Sequence, residues 1–135
     1  MALWDTQVQK VALLLWDGTK WLSQGTTATQ SGLAPSFAII NASASGNNQI
    51  VAADASRKIK VLSYVFVCSG TVNVQWNSAS NALTGPMAFV ANTGVTSPSL
   101  NKRDGHLFET NVNEALNLNL DGNISVGGHL SYFLE

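Results

Sequence analysis

The chain is poor in charge. Only 11% of its 135 residues are Asp, Glu, Lys or Arg, where an average domain carries about 25%. Seven basic residues against eight acidic ones leave a formal net charge of -1. That balance gives none of the electrostatic footprint that nucleic acid or an anionic membrane selects. There is one cysteine, Cys68, so no internal disulfide forms and the fold does not rely on an oxidising compartment. Set in the apolar run Val65-Phe66-Val67-Cys68, its thiol is expected to pack as a small hydrophobe. No run approaches the ~18 apolar residues needed to span a bilayer, and no basic-then-apolar leader opens the chain. Assembly in a cytosol is the expectation, and the sequons Asn41-Ala42-Ser43 and Asn123-Ile124-Ser125 then carry little weight.

The absent charge is replaced by neutral polar residues: 14 Ser, 10 Thr and 13 Asn, beside an apolar fraction of 45%. Such a surface suits a β-rich protein whose faces are buried against other subunits. The length allows one domain with room for an arm, and the pattern divides accordingly. Residues 1 to about 23 form an apolar head, MALWDTQVQKVALLLWDGTKWLS, and residues 24–36, QGTTATQSGLAPS, a low-complexity linker. From residue 37 to 135 short apolar runs alternate with turn signals every 8 to 12 residues or so, the rhythm of an antiparallel β-sandwich.

Period-2 alternation marks the strands. They are Phe37–Ile40, Gln49–Ala53, Ile59–Cys68, Val72–Trp76, Pro86–Val90, an extended stretch over Val95–Leu100, His106–Thr110, Ala115–Leu120 and Ile124–Leu134. No helix is expected after residue 23, so the body has eight or nine strands. Ile59–Cys68 is apolar on both faces, with Ile59, Val61, Val65 and Val67 on one side and Leu62, Tyr64, Phe66 and Cys68 on the other. That pattern predicts a central strand, or one with a face against a neighbouring subunit. In NEALNLNLDG, residues 113–122, the leucines would enter the core while Asn117 and Asn119 point the other way.

The head reads in two ways. As a hairpin, Asp17-Gly18 is a two-residue turn that sets Leu14 opposite Trp21 and Leu13 opposite Leu22. As a helix, Asp5 caps a turn with Val8, Val11, Ala12 and Leu15 on one face. The run Trp-Asp-Gly-Thr-Lys-Trp favours the hairpin. Burying Trp4, Leu13, Leu15, Trp16, Trp21 and Leu22 is worth on the order of 10 kcal/mol before entropy. An isolated hairpin cannot bury them on itself, so the segment calls for a partner.

Raw material for catalysis is scarce. His106 and His129 are the only histidines, and no Ser-His-acid or Cys-His arrangement can be built. His106 lacks a second metal ligand at usable spacing. Glu109 and Glu114 flank a turn where a glycosidase pair would need them close, but no aromatic cleft accompanies them. Gly127-Gly128 precedes no helix and is no phosphate loop; Asp17-Gly18, Asp104-Gly105 and Asp121-Gly122 are turns rather than calcium loops. Lys58 with Lys60, and Lys102 with Arg103, make no basic stripe. A carbohydrate-binding module would need exposed aromatics, and alternation with Val72 and Val74 puts Trp76 in the core. The expectation is a protein without catalytic, cofactor or metal residues.

The stretch NNQIVAADASRKIKVLSYVFVCSGTVNVQWNSASNALTGPMAFVAN, followed by HLFETNVNEALNLNLDGNISVGGHLSYFLE, resembles a β-sandwich module of tailed-bacteriophage structural proteins. Jelly-roll capsid decoration (cement) proteins and head- or tail-fibre components share it. The resemblance covers about two thirds of the chain and brings no catalytic residue. It implies a homotrimer on the outer capsid surface of a virion, made in a bacterial cytoplasm and bound to the major capsid protein, with neither nucleic acid nor membrane as partner. In that reading the arm grips the capsid through Trp4, Leu13, Leu14, Leu15, Trp16, Trp21 and Leu22, while Tyr64, Phe66, Asn117, Asn119 and His129 are candidates for the seam between subunits. The alternative is a fibre or adhesin module that binds host glycans.

Overall fold

The computed structural model describes residues 14–16, 21–23 and 34–135, and the chain separates into two units, Met1–Ala34 and Pro35–Glu135. In the first unit β1 (Leu14–Trp16) and β2 (Trp21–Ser23) pair antiparallel, with Trp16 opposite Trp21 and Leu15 opposite Leu22. The register expected from a two-residue turn at Asp17-Gly18 is therefore corrected. Leu14 lies opposite Ser23 rather than Trp21, and four residues separate the paired tryptophans in sequence. Trp4 and Leu13 lie outside the described residues.

The second unit is an antiparallel β-sandwich of ten strands: β3 (Ser36–Ala42), β4 (Gly46–Val51), β5 (Ile59–Cys68), β6 (Val72–Ser78), β7 (Asn81–Ala82), β8 (Met87–Phe89), β9 (Thr93–Thr96), β10 (Phe108–Glu109), β11 (Leu116–Leu120) and β12 (Val126–Leu134). One sheet runs β10-β5-β12-β3, with β9 also on β5; the other runs β4-β11-β6-β7, with β8 also on β6. The chain alternates between sheets from β3 to β6 and again from β10 to β12, and its last two strands insert beside its first ones, β12 next to β3 and β11 next to β4. That is the winding of a jelly roll. The strand count exceeds the expected eight or nine because the Asn81–Ala82 hairpin return and the Thr93–Thr96 segment both join the ladders. β4 also begins earlier than expected, so Asn47 and Asn48 lie in the strand rather than in a loop.

Leu116, Leu118 and Leu120 alternate inward from β11, opposite Ser78, Trp76 and Val74 of β6. From the opposite sheet come Ile40, Ala42, Val126 and Leu130. An aromatic cluster fills the centre: Tyr64 stacks on Phe66, both meet Trp76 edge-on, and Phe108 lies 5.8 Å from the indole. Trp76 is fully buried, as its alternation with two valines requires.

A β-bulge corrects the expected reading of β5. Ser131 pairs with Ser63 and Tyr132 with Val61, leaving Leu62 as the extra residue. One inserted residue inverts the in/out alternation. Ile59 and Val61 therefore join Phe66 and Cys68 in the core, whereas Val65 is half-buried and Val67 is exposed on the outer side. The pairs Ile59–Val61 and Val65–Val67, which the sequence pattern places on one face, are split between two.

Candidate functional surface

Turning Phe66 inward decides its role. It is completely buried between the sheets, so it is not a seam residue of the folded body, and the half-buried Tyr64 packs beside it. The face they leave is built from the odd positions of β12 and β3 and the outer residues of β5. His129 stands between Ile39 and Val65, Gly127 between Asn41 and Val67, and Ser131 between Phe37 and Ser63. Phe37 is 72% exposed, Ile39 79% and Val67 53%. Three of the five large apolar residues most exposed in the described chain thus share one face. His129, also exposed, is at the centre of it.

The seryl hydroxyls of Ser63 and Ser131 share a hydrogen bond of 2.6 Å and close the lower border of the apolar area. Below them the character changes. Phe133 is covered by the ammonium groups of Lys60 and Lys102, 5.8 and 5.1 Å from its ring. Lys58 Nζ meets Glu109 Oε1 at 2.8 Å, and Lys60 lies 3.8 Å from Glu109 and 3.4 Å from Glu135. Lys102 reaches Glu135 at 3.7 Å, and His106 Nε2 is 3.2 Å from Glu109 Oε2. The Lys58 hydrogen bond holds the Glu109 carboxyl below its ordinary range. The fringe is mixed in sign and partly exposed, with Lys60 the best covered of its cations.

The opposite outer face carries the amides. Bulging at Ile50 brings Asn47 and Gln49 of β4 into line with Asn119 and Asn117 of β11, beside Asn73, Gln75 and Asn77 of β6. These amides are cross-linked. Asn77 and Asn119 both donate to Asn47 Oδ1, at 3.0 and 2.9 Å. The amide nitrogens of Asn47 and Asn117 both donate to the Ala79 carbonyl, at 3.0 and 2.9 Å. Ala79 sits at φ +50°, in the left-handed region, at the tip of the β6–β7 hairpin. Its carbonyl thereby ties two strands, β4 and β11, to one turn. Asn117 and Asn119 have their donors engaged inside the molecule.

Glu109 and Glu114 do not form a pair. Glu114 accepts from the Ser78 hydroxyl and from Asn111 Nδ2 at 3.1 Å, and the Ser78 bond lowers its pKa. Ser78 donates to a carboxylate with no imidazole beside it, which is a corner fastening rather than an activated nucleophile. Burial pushes the Cys68 thiol up, away from reactivity. Among the described residues no group of three or more His, Cys, Asp or Glu converges on a common point, and no helix is long and apolar enough to cross a membrane.

Of the seam candidates, His129 alone stands open at the centre of an apolar area. Leu14, Leu15, Trp16, Trp21 and Leu22 are brought together only as the β1–β2 ladder. Phe37, Ile39 and Val67 were not among the expected site residues. The signal for the first two was present in Ser36-Phe-Ala-Ile-Ile-Asn-Ala, where Phe37 and Ile39 alternate against Ile40 and Ala42. Comparison with known protein families, curated proteins and solved structures finds no match.

Proposed function

We propose that this is a structural, non-enzymatic virion component of the capsid decoration type. Its sandwich self-associates, as a trimer in the reading the sequence resemblance suggests, and its arm docks on the major capsid protein at the outer capsid surface. The observation that carries the reading is the uncharged outer face bearing Phe37, Ile39 and Val67. Apolar area grouped in this way marks a contact surface. The glycan-binding alternative is less supported among the described residues, because Trp76 is buried and Tyr64 and Tyr132 are half-buried against the core, leaving Phe37 as the exposed aromatic.

The test is the mass of the purified full chain in solution, joined to imaging of labelled protein on the phage particle. The expected outcome is a multiple of the 14.3 kDa chain mass and label distributed over the head. A monomer that is absent from the particle surface overturns the proposal. Deletion of residues 1–23 is expected to leave the body associated while abolishing capsid attachment; unchanged attachment would remove the arm from the mechanism.

A further inference from the structure

The outer face of the β5-β12-β3 sheet carries one titratable group inside its apolar area. We propose that this face is occupied by the same face of a second copy, and that His129 makes the contact acid-sensitive, opening it as the imidazole gains a proton. The inference rests on the self-association proposed above and adds its location and its control. A face that meets its own copy makes a two-fold contact, so the associated state is a pair of chains in place of the trimer that the resemblance suggests.

A second copy fits the charge pattern. Across three strands spaced about 4.8 Å apart and seven residues long at about 3.3 Å each, the apolar area is on the order of 300 Å². A stable interface buries about 800 Å² per partner, so the contact must extend over the flanking fringe as well. That fringe holds Lys58, Lys60 and Lys102 together with Glu109 and Glu135. A copy of the same fringe offers both signs in return, whereas a strongly acidic or basic partner would meet like charge. At the centre the residues are neutral and self-compatible: Phe37, Ile39 and Asn41 from β3, Val65 and Val67 from β5, and Gly127 and Ser131 from β12 itself. Gly127 has open space above its Cα, which leaves a shallow hollow beside the imidazole.

None of the groups facing His129 is charged. β3 presents Phe37, Ile39 and Asn41, and β5 presents Ser63, Val65 and Val67. Thr96 and Gly94 of β9 follow beyond β5. The nearest charged groups on this face are Lys60 and Glu135, past Ser131 and Phe133 at the far end of β12. No carboxylate is placed to compensate an imidazolium. Closing a second copy over this face desolvates His129, and desolvation favours the neutral ring. The sign follows: a closed contact favours the uncharged ring, so association is strongest at neutral pH and is lost as pH falls. Histidine is the side chain that changes charge between about pH 5 and 8.

The experiment is sedimentation velocity of the full chain at pH 8, 6 and 5, with His129→Gln and Ile39→Asp as variants. Both positions are exposed, so neither change disturbs the core. Circular dichroism confirms the fold at each pH. The wild type is expected to associate at pH 8 and to weaken by about tenfold per pH unit for each imidazole buried once protonation begins. His129→Gln should remain associated at pH 5, and Ile39→Asp should be monomeric throughout. A wild type equally associated at all three pH values overturns the acid gate and leaves self-association standing. An Ile39→Asp variant that associates like wild type overturns this face as the contact. A wild type that is monomeric at pH 8 overturns both this inference and the self-association beneath it.

Discussion

Two adjacent glycines show how closely a single residue is held. A Cβ added to Gly128 would fall on the Val65 carbonyl oxygen and lie 2.7 Å from Phe66 Cα, whereas Gly127 has nothing within 4 Å. β12 cannot retreat, because it is paired with β5 on one side and β3 on the other. Gly128→Ala should therefore cost about 2–3 kcal/mol or more, with Gly127→Ala within about 0.5 kcal/mol of wild type. Urea denaturation read by tryptophan fluorescence checks both. Equal costs would show that β12 can shift along β5. Gly94 has the same constraint on the opposite edge of β5, where a Cβ would meet the Phe66 carbonyl. The central strand is thus approached closely from both sides, and glycine permits this at each.

At the scale of elements, the amide lattice and the β5 bulge carry separate tests. Asn47 takes part in three side-chain hydrogen bonds, two accepted at Oδ1 and one donated to Ala79, whereas Asn119 contributes one. Asn47→Ala should destabilise by about 1–2 kcal/mol and Asn119→Ala by less than about 1 kcal/mol; equal losses in chemical denaturation would mean that the lattice is not cooperative. Deleting Leu62 would remove the bulge and join Val61 to Ser63 in a regular ladder that still turns Ile59 and Val61 inward. It should therefore fold and cost about as much as Leu62→Ala, about 2–4 kcal/mol for the lost buried side chain, as thermal melts of the two variants would show. The alternations Val72-Val74-Trp76 and Leu116-Leu118-Leu120 were legible because the ladder of β6 with β11 is regular, so period 2 alone assigns the faces. β5 was misread beyond Leu62 because a bulge is defined by the partner strand. Nothing in Ile59–Cys68 by itself says which residue β12 will skip. For the same reason Phe66 was expected at a seam and is found in the core, while the exposure of Ile39 depends on β3 being the outermost strand. Which strand lies at an edge is a property of the winding, and local pattern does not encode it.

For the whole molecule, acid acts in two separate windows. Arg57 and the Ser56 amide hold Asp54 well below the carboxylate range. Lys58 does so for Glu109, Ser78 for Glu114, and the Asn73 amide for Asp121. Each of these pKa values is lowered on folding, so each contributes stability that is present above the ordinary carboxylate range near pH 4. That stability is lost as pH falls below it. They fasten turns and strand ends: Asp54 the β4–β5 turn, Glu114 the corner of β6, and Asp121 the end of β11 against Asn73. Of the four only Glu109 is near the face around His129, at its charged fringe, where Lys58 holds it. Acidification should therefore separate the copies between about pH 7 and 5, while the sandwich itself gives way only below about pH 4. Parallel titrations of sedimentation coefficient and far-ultraviolet circular dichroism should show the mass falling first, with β signal unchanged. If the two signals fall together between pH 7 and 5, dissociation is a consequence of unfolding and the imidazole is not its trigger. Glu114→Gln separates the windows further. It removes one carboxylate whose protonation opposes folding, so it should flatten the acid limb of stability and leave the dissociation midpoint where it is.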